Sequence, residues 1–246
     1  MHGPGKDQPE QPLKSISYSH VLSLSREIHP GMPAWPGDPQ VEFQTASELA
    51  SHGYFSRQFS MGEHGGTHIN APNSFHAHGA SIDEYPADSL VVPVAVVDVA
   101  ENVGADADYA MTVDDLERWE RKHGTVPAGS VVLLHTGWHS RWDSAEEYLG
   151  TSPDGSLHFP GFSAEAVRRL LYERNVGGFG IDSPGIEPGI DASFTVNRLA
   201  LEQRRIVLEN LCNLERLPAT GVTLVIGVLR LRGGTGSPVS VLAFVP

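Results

Sequence analysis

Apolar positions along the chain fall into two patterns, which predict different secondary structures. Short apolar runs bounded by glycine, proline or asparagine are typical of strands, whereas apolar residues three and four positions apart are typical of amphipathic helices. One helix is predicted to start at Thr112, where Asp115 completes a capping box, and another starts after Ser163, a suitable N-cap. The strands are predicted at 21–24, 54–61, 90–99, 130–138, 176–181, 205–211, 221–231 and 239–245, and the helices at 112–123, 163–174 and 196–203.

These elements predict one α+β domain with a mixed sheet, covering residues 16–246. No linker rich in proline, glycine or serine divides this part of the sequence, and no internal repeat occurs in it. The segment 29–39 contains four prolines and two glycines, which forbid a helix and predict an extended, turning path. Residues 1–15 are polar and lack a periodic apolar pattern, so we expect them to form a disordered tail.

Composition narrows the class of partner. The chain has a formal net charge of -13 and an isoelectric point near 5.3, which argue against nucleic acid or an anionic membrane surface. A small molecule is therefore the expected partner. The longest apolar run, 90–99, is about half the roughly 20 residues that a membrane span needs, so we expect a soluble, cytoplasmic protein. Cys212, the single cysteine, lies among apolar residues and is interpreted as part of the core rather than as a nucleophile.

Residues 61–79 form the densest cluster of groups that can bind a metal. A polar surface loop is the alternative, but the glycines, a proline and interleaved apolar residues indicate a shaped, partly buried segment. Gly65 and Gly66 separate His64 from His68, which disfavours a helix. In an extended strand these two histidines would lie roughly 13 Å apart, so one metal can bind both only if the glycines curl the backbone. The stretch holds four of the twelve histidines: His64, His68, His76 and His78.

The segment His64-Gly-Gly-Thr67-His68-Ile-Asn70-Ala-Pro72 resembles the HxGTHxDxP signature of the cyclase / kynurenine formamidase-like metal hydrolases. The resemblance implies a swivelling β/β/α fold, usually as a homodimer, and hydrolysis of amide or lactam bonds with zinc or manganese. Other members are associated with cyclisation of aromatic polyketides. Further similar segments are Trp35-Pro-Gly-Asp-Pro39, Leu134-His-Thr-Gly-Trp138, Phe159-Pro-Gly-Phe-Ser163, Gly180-Ile-Asp182 and Glu209-Asn210-Leu211.

The resemblance assigns metal ligands position by position. His64 and His68 match the two histidine ligands of the signature, and Asn70 stands where the signature has an aspartate ligand. Glu209 matches a late carboxylate ligand, whereas Asn197 stands where members with two metals have another histidine. Two ligands of a second metal are therefore altered, so we expect at most one divalent ion, held by His64 and His68 with Asn70 or Glu209. Mn or Zn is expected rather than Ca, because imidazole prefers those two metals.

Proton transfer is the second role to be assigned. Ser74 stands where related hydrolases carry a histidine for acid-base catalysis. His76 and His78 follow two and four residues later on the same face of an extended chain, so His76 is a candidate to replace that histidine, with an exposed loop residue as the alternative. Glu209 is a second candidate for moving protons. Ser74 itself is the third catalytic candidate, as a nucleophile, although the sequence near it supplies no evident acid-base partner.

Three further residues are predicted to line or support a substrate pocket. Trp35, in the proline-rich segment, is interpreted either as a lid over the pocket or as a plug at the domain surface. Asp38 lies in the same segment, and Asp182 follows a predicted strand. Each of these two carboxylates can either orient a histidine from behind or cap a turn.

The primary hypothesis for function is a metal-dependent hydrolase of an amide, lactam or ester bond in a small aromatic molecule. It rests on the two-histidine signature and the late glutamate. One alternative is a polyketide-type cyclase that closes a ring by aldol addition, which Asn70 and Ser74 favour because water activation is then unnecessary. The other is a catalytically degenerate member of the family that only binds a ligand or a partner.

Overall fold

Within residues 15–246, eight strands pair into one mixed sheet, and seven of them close into a ring. The computed structural model describes residues 15–246. The strands in this part of the chain are β1 (His20–Ser23), β2 (Glu42–Ser47), β3 (Ser56–Ser60), β4 (His68–Asn70), β5 (Val91–Asp98), β6 (Ala110–Met111), β7 (Val131–His135), β8 (Gly161–Phe162), β9 (Gly178–Ile181), β10 (Ile206–Glu209), β11 (Thr223–Val228) and β12 (Gly236–Val245).

The ring runs in the order β12, β11, β5, β7, β9, β10, β4 and back to β12, and β1 pairs with β12 as an eighth strand. The pairs β5 with β7, β7 with β9 and β9 with β10 are parallel, and the other pairs are antiparallel. Strand β4 has only three residues, yet it closes the ring by pairing with β10 on one side and β12 on the other. Two small sheets, β2 with β3 and β6 with β8, complete the strand pairings.

Two helices begin at the N-caps that the sequence predicts. Thr112 accepts a hydrogen bond from the amide of Asp115, whose side chain accepts from the amide of Thr112, so the capping box is confirmed. Ser163 caps its helix in the same way through the amide of Ala166. The helices are α1 (Leu49–His52), α2 (Ala100–Val103), α3 (Val113–His123), α4 (Ala145–Leu149), α5 (Ala164–Tyr172) and α6 (Thr195–Ala200).

The hydrophobic core lies on both faces of the closed sheet. Alternate residues of the ring strands form one cluster inside the ring, and the opposite residues pack against α3, α5 and α6 on the outside. Strand β9 contributes glycines to the inner face. A Cβ atom on Gly180 would lie 2.5 Å from a methyl group of Leu133, so only glycine fits there without repacking.

The predicted mixed sheet in a single domain is confirmed, but its closure into a ring was not predicted. Strands β2, β4, β6 and β8 were missed, the last three because two or three residues are too few to show an alternating pattern. The strand predicted at 130–138 ends at His135, because Gly137 adopts a left-handed conformation that starts a turn. The predicted tail lies outside the described residues except for Ser15, and Cys212 is buried as predicted. None of the helices in residues 15–246 has the length and apolar character that crossing a membrane requires.

Candidate functional site

A cavity of about 240 Å³ lies beside strands β4 and β10. Its walls differ in character, with polar side chains in one part and aromatic rings in another. The polar residues are Asp38, His64, His68, Asn70, Ser74, Glu187, Asn197, Glu209 and Asn210, and the aromatic residues are Trp35, Phe75, Tyr148 and Phe194.

Strand register brings three of the polar side chains together. His68 and Asn70 are alternate residues of β4 and share one face, while Ile69 between them is buried on the opposite face inside the ring. Glu209 of β10 is the direct partner of His68 in the antiparallel pairing. The closure of the ring by β4 therefore places an imidazole next to a carboxylate.

His64 reaches the same place because the backbone between it and His68 curls. Gly66 has a φ of 64°, in the left-handed region that favours glycine, and the rings of His64 and His68 lie 5.3 Å apart. The opposite wall is also shaped by a glycine, since a Cβ atom on Gly236 would lie 2.7 Å from Cε1 of His64. The structure thus replaces the extended path, with its roughly 13 Å separation, by a tight turn.

The hydrogen bonds around His64 fix which ring nitrogen carries the proton. Glu63 Oε2 accepts from both the amide and the hydroxyl of Thr235, at 2.7 and 2.8 Å. Because this uses the hydroxyl proton, Thr235 Oγ1 can only accept from His64 Nε2, which lies 3.0 Å away. Burial, together with the charge of nearby His68, lowers the pKa of His64, so its Nδ1 carries a lone pair.

The orientation of Asn70 follows from a chain of amide contacts. Asn197 Nδ2 donates to Glu187 Oε1 at 3.0 Å and to Glu209 Oε1 at 2.9 Å, which leaves Asn197 Oδ1 as an acceptor. Asn70 Nδ2 donates to that oxygen at 3.2 Å. Asn70 Oδ1 therefore faces His64 Nδ1 at 2.8 Å, and both of these atoms are acceptors.

His68 and Glu209 form a buried pair. His68 Nδ1 donates to the carbonyl oxygen of Gly66 at 3.0 Å, so its Nε2 points at Glu209 Oε2, which is also 3.0 Å away. Burial alone would lower the pKa of His68 and raise that of Glu209. Their hydrogen bond and mutual attraction outweigh burial, so the pKa of His68 is raised and that of Glu209 is lowered. Either a proton or a cation must lie between these two atoms.

Two facing pairs of electron-pair donors thus line the cavity, His64 Nδ1 with Asn70 Oδ1 and His68 Nε2 with Glu209 Oε2. Acceptor atoms about 3 Å apart repel each other unless a proton or a cation lies between them. Imidazole nitrogens combined with amide and carboxylate oxygens are ligand types that suit Mn or Zn. The chemistry of this donor set therefore fits a divalent metal.

Glu187 is a second buried carboxyl group in the cavity wall, with 3% of the residue exposed. Burial, reinforced by the negative charge of Glu209, raises the pKa of Glu187 to about 8. The amide of Asn197 donates to Glu187 Oε2 at 2.8 Å and holds the side chain in place. Near neutral pH this carboxyl group is protonated and can donate a proton inside the cavity.

The aromatic end of the cavity is built from several segments of the chain. The ring of Phe194 lies 5.9 Å from that of Trp35 and 5.7 Å from that of Phe75, measured between centroids. Phe194 has a φ of 54°, which is uncommon for a bulky residue and fixes the side chain at the start of α6. The hydroxyl of Tyr148 lies 2.9 Å from Asn210 Oδ1. These flat side chains form a wall suited to a planar ring.

Comparisons with known proteins decide the family. The model of the cyclase family matches residues 22–188, which is more than half of the chain. The chain belongs to the cyclase family. It is 33% identical over 219 residues to isatin hydrolase of Roseibium aggregatum, covering 85% of this chain and 82% of that protein. It is 24% identical over 224 residues to kynurenine formamidase of Bacillus cereus, covering 90% of this chain and 95% of that protein.

A solved structure of the family has the same fold. Isatin hydrolase A from Labrenzia aggregata, bound to benzyl benzoate, superposes with a TM-score of 0.86 at 32% sequence identity. The match covers 92% of this chain and 93% of that chain. The ring of strands described above is therefore the fold of a cyclase-family protein.

In this member of the cyclase family, most of the predicted site residues line one cavity, and two lie outside it. Trp35, Asp38 and Ser74 line the cavity together with the predicted metal ligands and Glu209. The Ser74 hydroxyl donates to the carbonyl oxygen of Thr235, so it is held by the backbone. The two that lie elsewhere are His76 and Asp182.

The two outlying residues have other partners. His76 is half-buried, and its Nε2 lies 2.9 Å from the carbonyl oxygen of Arg198. Asp182 is fully buried and accepts hydrogen bonds from the amides of Thr136 and Gly137. It also contacts His139 Nδ1 at 3.1 Å, so it does orient a histidine, but not one of the cavity. Asp182 therefore does not line this cavity.

Sequence reasoning missed Glu187, Tyr148 and the aromatic residues Phe75 and Phe194 as parts of the site. One signal could have found Glu187. It lies in the loop after β9, at the carboxyl end of a parallel strand, where functional loops commonly occur. The aromatic residues carry no such local signal, because they meet only in the folded chain.

Proposed function

We propose that the protein is a hydrolase that uses one divalent cation to cleave an amide, lactam or ester bond in a small aromatic molecule. The similarity to isatin hydrolase and to kynurenine formamidase supports the reaction class. A cavity of about 240 Å³ with an aromatic wall supports a compact, planar substrate.

The observation that carries this proposal is the set of four facing electron-pair donors. His64 and His68 supply imidazole nitrogens, and Asn70 and Glu209 supply oxygens at contact distance. A divalent cation held there would act as a Lewis acid toward a substrate carbonyl. Because Asn70 is neutral, a single carboxylate balances the charge, and we propose Mn or Zn bound more weakly than with an aspartate at this position.

Proton transfer is assigned to Glu187 in this proposal. Its carboxyl group lines the cavity, is held by Asn197 and keeps its proton near neutral pH. After water adds to the carbonyl carbon, Glu187 can protonate the leaving nitrogen as the carbon–nitrogen bond breaks, and the proton lost by the water restores the carboxyl group. His76 and Ser74, the candidates from the sequence, are tied to backbone carbonyl groups. We therefore place the acid-base role on Glu187, with Asn197 as its positioning residue.

The aromatic residues bind and orient the substrate in this proposal. A planar ring would lie against Trp35, Phe75 and Phe194, which directs its carbonyl group toward the polar end of the cavity. In this proposal Trp35 forms part of the pocket wall and contacts the ligand. A homodimer and a cytoplasmic location stay predictions.

One observation favours a second candidate, the polyketide-type cyclase. The position of the usual catalytic histidine is Ser74, and its hydroxyl group is tied to Thr235, so neither that residue nor His76 activates water. Aldol ring closure needs no activated water and would use the same cation to stabilise an enolate. This candidate predicts turnover of a compound with several carbonyl groups and no cleavage of amides.

The test measures metal content and turnover on the same sample. The purified protein is stripped with a chelator, reloaded with Mn or Zn, and assayed with isatin, N-formylkynurenine and an aromatic ester. We expect stripping to lower hydrolysis of at least one of them by more than about tenfold, and the metal to restore it. Hydrolysis that survives complete removal of metal contradicts the proposal. Cyclisation of a poly-carbonyl compound without hydrolysis of any of the three supports the second candidate.

A further inference from the structure

A second pair of histidines four residues apart lies outside the cavity. His135 is the last residue of β7, and His139 lies in the 3-10 turn Trp138–Arg141 that follows. Glu215 belongs to another 3-10 turn, Leu214–Arg216. One ligand atom from each of these three side chains lies within 4.8 Å of the other two. We call His135, His139 and Glu215 the outer cluster.

Each imidazole of the outer cluster has a carboxylate beside its Nδ1. His139 Nδ1 donates to Asp182 Oδ2 at 3.1 Å, and His135 Nδ1 lies 3.1 Å from Asp98 Oδ1, whose side chain is 67% exposed. With the proton on Nδ1, Nε2 of a neutral ring carries the lone pair that a metal requires. Histidine ligands of zinc are typically oriented by a carboxylate in this way. Asp182 therefore orients His139 to bind a metal through Nε2, and the contact with Asp98 favours the same orientation of His135.

The support behind His139 is rigid. Asp182 is fully buried, and the amides of Thr136 and Gly137 donate to its two oxygens at 2.9 and 3.0 Å. The guanidinium group of Arg26 donates to the carbonyl oxygen of His139 at 2.8 Å. Both the ring and the backbone of His139 are thus fixed, which lowers the entropy cost of binding an ion.

The distances in the outer cluster suit a small cation. Two ligand atoms bound tetrahedrally to zinc at about 2.1 Å lie about 3.4 Å apart. His139 Nε2 and Glu215 Oε2 are 3.6 Å apart. The Glu215 side chain is 41% exposed, so it can rotate toward His135 without disturbing the core.

Charge in this region also favours a cation. Asp98, Asp182 and Glu215 bring three negative charges to two neutral imidazoles, and Arg26 offsets one of them. The hydrogen bond to Asp182 raises the pKa of His139, so a proton competes with a metal for this site at low pH. Mildly alkaline solution is therefore the condition in which a metal should bind best.

We propose that His135, His139 and Glu215 bind a second divalent transition metal, of the class that includes Zn and Co, separate from the cavity. The ion would connect the end of β7 to the turn that follows the Glu209-Asn210 segment. It therefore stabilises the backbone behind the cavity rather than contacting the substrate.

Cobalt is the probe for this site, because its bound form absorbs visible light. Equilibrium dialysis at pH 8 counts Co bound to the wild type and to Glu215→Gln and His139→Gln variants. We expect the wild type to bind one more equivalent than either variant, with an absorption band that both variants lack. In excess Zn, at about 100 times the dissociation constant, the wild-type Tm should rise by about 5 °C more than that of Glu215→Gln.

The controls separate this site from the cavity and from ordinary surface histidines. His68→Gln removes a cavity ligand and should leave the outer equivalent of Co and its absorption band. His158→Gln is the matched surface variant, because His158 Nδ1 also contacts a carboxylate, that of Asp108 at 2.8 Å. It should bind as much Co as the wild type.

If Glu215→Gln binds as many equivalents of Co as the wild type, the second metal site is excluded. Glu215→Gln keeps the proposal testable even if His139→Gln fails to fold, since Glu215 is exposed.

Discussion

The chain contains two histidine pairs with the same four-residue spacing, and they are built in opposite ways. In the inner pair, His64 and His68, neutral groups hold the far nitrogens and Glu209 meets the near side of His68 in the cavity. In the outer pair, His135 and His139, carboxylates hold the far nitrogens and the near side faces an exposed glutamate.

This difference separates two uses of the same ligand type. A cation in the inner pair would face a cavity with an aromatic wall, where a substrate carbonyl can reach it. A cation in the outer pair would face solvent and connect two turns. Spacing alone therefore does not tell a catalytic pair from a structural one, because the groups behind and opposite the rings decide the role.

The largest expected effect comes from Glu209→Gln in the inner pair. The substitution removes the only negative charge among the four facing donors and leaves a neutral amide at nearly the same volume. Since a metal Lewis acid supplies several kcal/mol of transition-state stabilisation, we expect hydrolysis to fall by on the order of 10³ and cavity metal to be lost. The measurements are metal analysis and kcat/KM for the substrate that the assay with stripped and reloaded protein identifies.

Glu165→Gln is the control for Glu209→Gln, because Glu165 is exposed on α5 and carries the same charge. It should keep both the metal and the activity. A Glu209→Gln variant that retains full metal and full kcat/KM would contradict the inner site. Comparing the metal content of Glu209→Gln with that of Glu215→Gln then shows whether the two histidine pairs bind metal independently.

The second-largest expected effect comes from removing the acidic proton of Glu187. With its pKa near 8, Glu187 should act as an acid below that pH, so wild-type kcat should fall as the pH rises through about 8. Glu187→Gln should lower kcat by about 10² and abolish this fall, with metal content unchanged. The pH profile of kcat and metal analysis are the measurements. An unchanged profile in the variant would exclude Glu187 as the acid.

The same carboxyl group predicts a pH effect on stability. Its ordinary pKa is 4.5, so between about pH 4.5 and 8 the folded chain keeps a proton that the unfolded chain releases. The folded state is then favoured less as the pH rises through this window, and Glu187→Gln lacks this contribution. We expect the wild-type Tm to fall at least about 3 °C further than that of the variant between pH 6 and 8.

Part of the fold and of the site could be predicted from the sequence. Helix α3 was predicted because its cap and its apolar face are local features, and His64 and His68 lie within one continuous motif. The closure of the ring could not be predicted, since it depends on the three-residue strand β4 pairing with strands far away in the sequence. Glu187 was missed for the same reason. Its raised pKa arises from burial and from Glu209, which only folding brings near it.

The smallest effect is expected from Asn70→Asp, which tests how the neutral amide at this position affects metal binding by the inner pair. An aspartate would place a charged oxygen against Asn197 Oδ1, now 3.2 Å from Asn70 Nδ2, so the metal-free variant should lose about 3 °C in Tm. Its other oxygen would face His64 Nδ1 as a charged ligand, and we expect metal to bind about tenfold more tightly. Asn73→Asp is the matched control, because it adds the same charge three residues away, where Asn73 Nδ2 donates to Gly233. If both variants tighten metal binding equally, the gain reflects overall charge, and Asn70 is not a ligand. If only Asn70→Asp does so, the neutral amide at this position weakens metal binding in the inner site. The outer pair has a carboxylate beside each ring, so it should hold its metal more tightly than the wild-type cavity does.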